Sequence, residues 1–239
     1  MKSEKELVYE YHRLSSWDSL LNHPNTTSSK SLFEVEQNIE INDARLSKIY
    51  LDYKKIPEQC ISDLVSQRNS AKEMVQLEDI NILELGTFLK WSVGNKLNEQ
   101  SKKMYPSAGA IYPNKIFLVV KNVENIDSGF YFYNSNVHSL IKISNDDTFE
   151  DALLQEGINS NVCCIIASHF ESSEAKYGLR GYRFCLLEAG HIAQNMLLLA
   201  NAMGWSAAPI GGFKDEVINK KLNNKLKAIY LIPIGKQAN

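Results

Sequence analysis

The sequence predicts an α+β fold, because segments with strand character are followed by a long helix without regular strand–helix–strand alternation. Two apolar runs, 115–121 and 162–168, are rich in β-branched and aromatic residues and are predicted to be inner strands. Residues 130–133 and 140–143 flank the turn-rich segment 134–139, which predicts a β-hairpin.

A helix and a last strand belong to the same predicted core. The helix is predicted over 82–93, where apolar residues recur at three- and four-residue spacing. Asp79 or Asn81 can serve as its N-cap, and Gly94 can end it. The apolar run 228–234 is expected to close the sheet.

The second predicted helix runs over about 182–203 and is ended by Gly204. Glu188, His191 and Asn195 form a polar stripe along it. A Glu-x-x-His unit is half of a di-iron site, but the second unit that such a site needs is missing, so no metal site is predicted. The better interpretation is a helix buried at a dimer interface with its polar groups satisfied.

Composition excludes some classes of partner. The chain has 239 residues, 44% of them hydrophobic, which is enough for a core without disulfides. Its net charge of −2 argues against nucleic acid or an anionic membrane surface as a partner. There is no apolar run of the ~18 residues that a membrane span needs, and no signal peptide is recognisable, so a cytoplasmic protein is expected.

The chain is predicted to have two parts. Residues 1–60 read as an irregular lead-in of unknown role with a polar loop at 23–31, and residues 61–239 read as one domain. The cysteines form no C-x-x-C unit and are expected to be structural thiols in a reducing compartment. These cysteines are Cys60, Cys163, Cys164 and Cys185.

Three short segments carry residues suited to a flat, phosphate-bearing ligand. Residues 68–72 offer a guanidinium, a hydroxyl and an ammonium as phosphate donors, although a solvated helix end would look the same. Residues 106–110 and 209–213 contain small side chains that let a ligand approach the backbone, and ordinary turns are the alternative for both.

These segments, with Lys-Tyr-Gly-Leu-Arg-Gly-Tyr-Arg at 176–183, resemble motifs of the nitroreductase-like flavoproteins. Within that superfamily they are similar to the SagB-type dehydrogenases, which oxidise azoline rings in ribosomal peptide natural products. Tyr-Pro-Ser-Ala-Gly-Ala-Ile-Tyr-Pro at 105–113 is the most specific match, and the resemblance covers about 61–236. It implies a mainly antiparallel sheet flanked by helices and a homodimer with one FMN at each interface.

The resemblance also implies which residues bind FMN. In the phosphate element two residues match directly, Lys72 keeps a charge, and Asn69 replaces an arginine. The small-residue loop of this family packs along the flavin, often from the second subunit. The candidates are Arg68, Ser70, Lys72, Ser107, Gly109, Gln194, Ile210, Gly211, Gly212 and Lys236.

Lys176 and Tyr177 are the catalytic candidates, and the sequence places them in a loop before the long helix. Members of this family use such a pair, and oxidation of an azoline needs a base for the proton while the flavin accepts hydride. Either residue could be the base. The implied function is FMN-dependent dehydrogenation of thiazoline or oxazoline rings to thiazoles or oxazoles, with oxygen reoxidising the flavin.

Two other functions fit the same motifs. One is an NAD(P)H-dependent nitroreductase or flavin reductase, and the other is a non-catalytic scaffold subunit, which the substitutions at Asn69 and Lys72 keep open. The substrate would be an azoline-containing peptide or a carrier-bound chain. A cyclodehydratase complex or a nonribosomal synthetase is therefore an expected partner.

Overall fold

An eight-stranded sheet forms the centre of the protein, in a computed structural model that describes residues 3–16, 46–78 and 80–238. The strand order is β1-β5-β4-β3-β6-β8-β2, and β7 pairs with β8. Every pair of named strands is antiparallel, which confirms the expected α+β fold with an antiparallel sheet. The strands are β1 Lys48–Tyr50, β2 Met74–Val75, β3 Asn114–Val120, β4 Gly129–Asn134, β5 Ser139–Ser144, β6 Val162–Ser168, β7 Ser206–Ala207 and β8 Lys227–Gln237.

The described helices include both predicted ones. The helix predicted over 82–93 is confirmed, and a capping box between Asn81 and Glu84 starts it, whereas Asp79 lies outside the described residues. The long helix is also confirmed; it ends at Ala202, and Gly204 follows with a φ of 73°. The helices are α1 Glu4–Leu14, α2 Ile61–Gln67, α3 Ile82–Val93, α4 Phe170–Tyr177, α5 Arg180–Ala202 and α6 Asp215–Lys221.

The sheet is buried on both faces, because each face carries its own apolar cluster. Helices α3 and α5 cover one face, and α6 packs on the other. Alternate residues of β6 enter the two clusters, as Cys164 does on the first face and Ile165 on the second. This two-sided burial explains why the central strands read as continuous apolar runs.

The sheet separates at one end between β3 and β4. Strand β3 pairs with β6 along its whole length, from Asn114↔Ser168 to Val120↔Val162. Its ladder with β4, by contrast, ends at Phe117↔Phe132. A gap therefore opens beside the first three residues of β3.

Two described segments precede residue 61. Strand β1 pairs with β5, so the sheet begins before the predicted boundary at 60/61, which itself stays a prediction. In α1 the Tyr11 hydroxyl donates to the Leu179 carbonyl over 2.9 Å, so this helix packs at the start of α5. The polar loop expected at 23–31 lies outside the described residues.

All four cysteines are free thiols, and Cys60 alone among them is exposed. The adjacent pair lies in β6, which confirms that this run is a buried strand. None of the helices within the described ranges has the length and apolarity to cross a bilayer.

Candidate active site

The predicted phosphate element lies beside the end of β8. Residues 68–72 connect α2 to β2, and the Ala71 amide donates to the Ala207 carbonyl over 3.2 Å. Strand β2 then pairs with β8, with Val75 opposite Lys236. A Cβ on Gly235 would lie 2.6 Å from the Val75 carbonyl oxygen, so only glycine allows this close approach. The structure thus brings Lys236 to the phosphate element.

The side chains of this element include several hydrogen-bond donors and cations. Nη1 of Arg68 lies 3.4 Å from Oγ of Ser70, so a guanidinium and a hydroxyl are side by side. Lys72 and Lys236 are exposed and add two cations. The Asn69 amide donates to the Gln67 carbonyl over 2.9 Å, so this residue stabilises the turn instead of supplying a donor. Such a set suits an anion that approaches from solvent.

The loop with two glycines lies further along the same edge of β8. Ile210 and Leu231 exchange backbone hydrogen bonds of 2.8 and 3.0 Å. Gly211 and Gly212 follow and are exposed, and a Cβ on Gly211 would lie 3.3 Å from the Tyr230 ring. The phosphate element and this loop are therefore aligned along one edge, as an elongated ligand requires.

The loop that precedes β3 holds an unusual backbone. Gly109, Ala110 and Tyr112 have φ values of 60°, 55° and 54°. Positive φ is strained for the two residues that carry side chains, and such strain clusters at functional sites. The Ser107 hydroxyl accepts a hydrogen bond of 2.9 Å from the Tyr112 amide, which holds the loop closed.

Lys176 and Tyr177 lie directly against this loop. A Cβ on Gly109 would be 2.3 Å from the Tyr177 hydroxyl oxygen and 2.7 Å from Nζ of Lys176. The Tyr177 ring is fixed edge-on against Phe184, with centroids 4.9 Å apart. Only a glycine leaves room for both polar ends at this point.

The expected loop location of the pair was wrong, because both residues occupy the last turn of α4. Gly178 caps the C-terminus of this helix, and its φ of 56° and ψ of −148° are accessible to glycine and strained for other residues. The sequence did not show α4 because it has only eight residues and little apolar periodicity.

A buried carboxyl group supports the loop from behind. Glu188 is 2% exposed, and its Oε1 accepts from the Asn114 amide at 3.3 Å and from Nδ2 of Asn114 at 3.1 Å. Burial raises the pKa of the Glu188 carboxyl, while hydrogen bonds from Ser107 and Asn114 oppose that rise. Sequence reasoning missed Asn114, since one asparagine at the start of a strand carries no signal.

The other polar residues of α5 have different roles. Asn195 donates to the carbonyls of Ser92 and Met104 over 3.2 and 3.1 Å, so it joins α5 to α3 within one chain. Gln194 and His191 are exposed. Within the described part of the chain no group of three or more His, Cys, Asp or Glu side chains is placed to hold a metal ion.

The phosphate element and the Lys-Tyr pair lie at opposite ends of the sheet, and the loop with two glycines lies between their levels, opposite Leu231. Asn114, beside the Lys-Tyr pair, is level with Ser168, whereas Gly235 lies just beyond the residue that pairs with Val162. Ser168 and Val162 are the two ends of β6, so these two positions are separated along the strands by about 20 Å at ~3.3 Å per residue.

Helix α5 gives the same distance independently. Its Glu188 binds Asn114, and its Asn201 donates to the Leu64 carbonyl, one turn before Arg68. Asn201 comes 13 residues after Glu188, which corresponds to about 20 Å along a helix. The structure therefore brings Lys176 and Tyr177 to Gly109, and Lys236 to the phosphate element, but it does not bring the phosphate element and the Lys-Tyr pair together in one chain.

Comparison with known proteins gives the same family as the motifs. The sequence profile of the nitroreductase family matches residues 47–236. The Methanocaldococcus jannaschii protein MJ1384, provisionally assigned as a nitroreductase, is 32% identical over 76% of this chain and 93% of its own length. The microcin B17-processing protein McbC of Escherichia coli is 32% identical over 51% of this chain and 48% of its own.

Solved structures show the same fold. A nitroreductase-like structure from Anabaena variabilis covers all of this chain with a TM-score of 0.75 at 22% identity, and the match spans 48% of that chain. A chain of the E. coli microcin synthetase McbBCD complex, solved with truncated pro-MccB17 bound, matches with a TM-score of 0.64 at 19% identity. That match covers 99% of this chain and 95% of the other. With the profile match over most of its length, the chain belongs to the nitroreductase family.

Proposed function

We propose that this protein is an FMN-dependent dehydrogenase that converts thiazoline or oxazoline rings of a peptide to thiazoles or oxazoles. The observation that carries the proposal is the contact of Lys176 and Tyr177, at the end of α4, with Gly109 in a strained, exposed loop. The similarity to McbC, named for its processing of microcin B17, supports a peptide substrate.

The residues present fit FMN. Arg68, Ser70, Lys72 and Lys236 would hold the phosphate, because they combine a guanidinium, a hydroxyl and two exposed ammonium groups. The exposed amides after Ile210 would face the ring. FMN supplies the two-electron oxidation when it is bound.

The Lys-Tyr pair would remove the proton from the ring carbon. Nζ of Lys176 lies 5.4 Å from the centroid of the Tyr177 ring, so the two polar ends form one small basic surface at Gly109. One of the two residues would accept the proton, and the other would orient the accepting side chain. Loss of that proton, together with a hydride that bound FMN would accept, aromatises the ring, which contributes to the driving force.

The complete site would need two chains. A flavin with its phosphate at Arg68 would have to cover about 20 Å to lie on Gly109 of the same chain. The five-carbon chain between its phosphate and the near edge of its ring, at about 1.5 Å per bond, spans less than half of that distance, so the centre of the ring would lie short of Gly109. We infer a homodimer in which the loop and base of one protomer complete the phosphate site of the other.

Synthetase partners follow from the same proposal. A substrate with azoline rings must come from a cyclising enzyme, either a cyclodehydratase or a nonribosomal synthetase. The fold match to a chain of the McbBCD complex, a microcin synthetase, supports a synthetase complex as the partner.

The test is turnover of a synthetic thiazoline peptide, read by mass spectrometry as the loss of two hydrogens. We expect Lys176→Ala and Tyr177→Phe to lower turnover by about 100-fold or more, because each removes part of the base. Lys220→Ala, at an exposed position on α6, is the control and should leave turnover unchanged.

NADPH oxidation with a nitroarene is measured on the same variants. If the peptide is never converted and NADPH oxidation is rapid and indifferent to both substitutions, the protein is a nicotinamide-driven reductase. A protein that takes up no FMN and converts neither substrate would be a scaffold subunit.

A further inference from the structure

The gap between β3 and β4 holds a cavity of about 460 Å³. Its walls come from the start of β3, the end of β4 and the segment 100–103. Since the β3–β4 ladder ends at Phe117↔Phe132, the backbone edges beyond that pair face each other across open space. The volume lies in the range of about 300–1,000 Å³ that is usual for ligand sites.

The lining of this cavity is positively charged. Lys102, Lys103 and Lys115 contribute to it, and among the residues that the structure describes no aspartate or glutamate does. Nζ of Lys103 lies 3.0 Å from Oγ of Ser135, so this side chain spans the gap. Nζ of Lys102 forms an ion pair with Oε1 of Glu99 over 2.8 Å, and both side chains are half exposed. Lysine side chains in such a lining suit an anionic ligand.

The cavity is also rich in carboxamides, which can both donate to and accept from peptide groups. Asn114 is fully buried and Asn95 is 6% exposed, and in each the Oδ1 atom has no hydrogen-bond partner within the described part of the chain. A buried acceptor without a donor is costly, and a ligand N–H would satisfy it. The five carboxamides are Asn95, Gln100, Asn114, Asn134 and Asn136.

From these features we propose that the cavity binds an extended, acidic peptide segment beside β3. Its main-chain N–H groups would meet the carboxamide oxygens and the open strand edge, as in the addition of a strand to a sheet. Its carboxylates would meet Lys103 and Lys115. The cavity includes Ala110, next to Gly109, so the segment would flank the azoline that the Lys-Tyr pair processes. Its identification as part of the substrate rests on the proposed function.

The test separates binding from turnover. Titration calorimetry of the full chain is done with the peptide acetyl-Val-Glu-Val-Asp-Val-amide, which has no azoline, and with its Gln/Asn isostere. We expect the acidic peptide to bind and the isostere to bind at least tenfold more weakly. Lys115→Met should weaken binding of the acidic peptide by about threefold to tenfold, as expected for one half-buried charge, and Lys220→Met, at an exposed position, should have no effect.

A second variant, Asn136→Ala, removes an exposed carboxamide from the cavity and should weaken both peptides equally. Equal binding of the two peptides, or binding of neither, would overturn the inference. So would displacement of the acidic peptide by NADPH, because the cavity would then be a nicotinamide cofactor site. If neutral thiazoline peptides are oxidised while the acidic peptide does not bind, this inference fails and the proposed function stands. If the acidic peptide binds and no azoline is oxidised, only the proposed function fails.

Discussion

Replacing Gly109 by alanine should separate the chemistry of the site from its folding. The new Cβ would lie 2.3 Å from the Tyr177 hydroxyl oxygen, whereas ordinary contacts begin at 3.4 Å, so that oxygen must move by about 1 Å. The φ of 60° adds about 1–2 kcal/mol of backbone strain. A displacement of 1 Å in a catalytic group can cost about 100-fold in rate. We therefore expect a loss of about 1–2 kcal/mol in unfolding free energy and about 100-fold in turnover.

The assay combines urea unfolding with turnover of a thiazoline peptide at saturating FMN. Gly204→Ala is the matched control, because Gly204 also has a positive φ, 73°, but nothing lies within 4 Å of its Cβ position. The control should lose similar stability and keep its activity. Full activity in Gly109→Ala would refute the placement of the base at this loop, as would an equal loss of activity in both variants.

Three further predictions follow from the same geometry. Mixing Arg68→Ala dimers with Lys176→Ala dimers should restore about a quarter of wild-type activity after subunit exchange. Half of the dimers become mixed, and in each of these one of the two sites combines an intact phosphate element with an intact base. No recovery of activity would contradict a site shared by two chains. Because burial raises the pKa of Glu188, the free energy of unfolding of the wild type should fall as pH rises from about 4.5 through that raised pKa. The stability of Glu188→Gln should therefore increase relative to wild type across this pH range. Urea unfolding from pH 4 to 8 measures both, and parallel pH curves of the two proteins would argue against a buried carboxyl. Burial, with the nearby Lys90 charge, lowers the pKa of His138 to about 4, so stability should be lost as pH falls from about 6.5 to 4. The variant His138→Phe should lose less stability than wild type over this range. An NMR titration in which His138 titrates near pH 6.5 would be the contrary result.

Much of the fold could be predicted from local patterns. The inner strands are continuous apolar runs because the sheet is covered on both faces, and α3 combines apolar periodicity with a capping box at Asn81. The hairpin 130–143 follows from its turn residues, with β4 and β5 paired as expected. In each case the signal lies within about ten residues of sequence.

The parts that could not be predicted depend on contacts between distant segments. Strands β2 and β7 have two residues each, too few for any periodic signal, yet they bring the phosphate element to Gly235. The hydrogen bonds of Asn114 to Glu188 join residues 74 positions apart. The motifs identified Gly109 and Lys176 separately, and only the fold shows that they are in contact within one chain.

The most direct test of the proposed function is an anaerobic visible absorbance titration of the FMN-loaded protein. A thiazoline peptide is added to one sample, and NADPH or NADH to others. The proposed function predicts that the flavin band bleaches with the peptide in stoichiometric amount, resists both nicotinamides, and bleaches about 100-fold more slowly with the peptide in Lys176→Ala. Rapid bleaching by NADPH with no response to the peptide would contradict it and identify a nicotinamide-driven reductase.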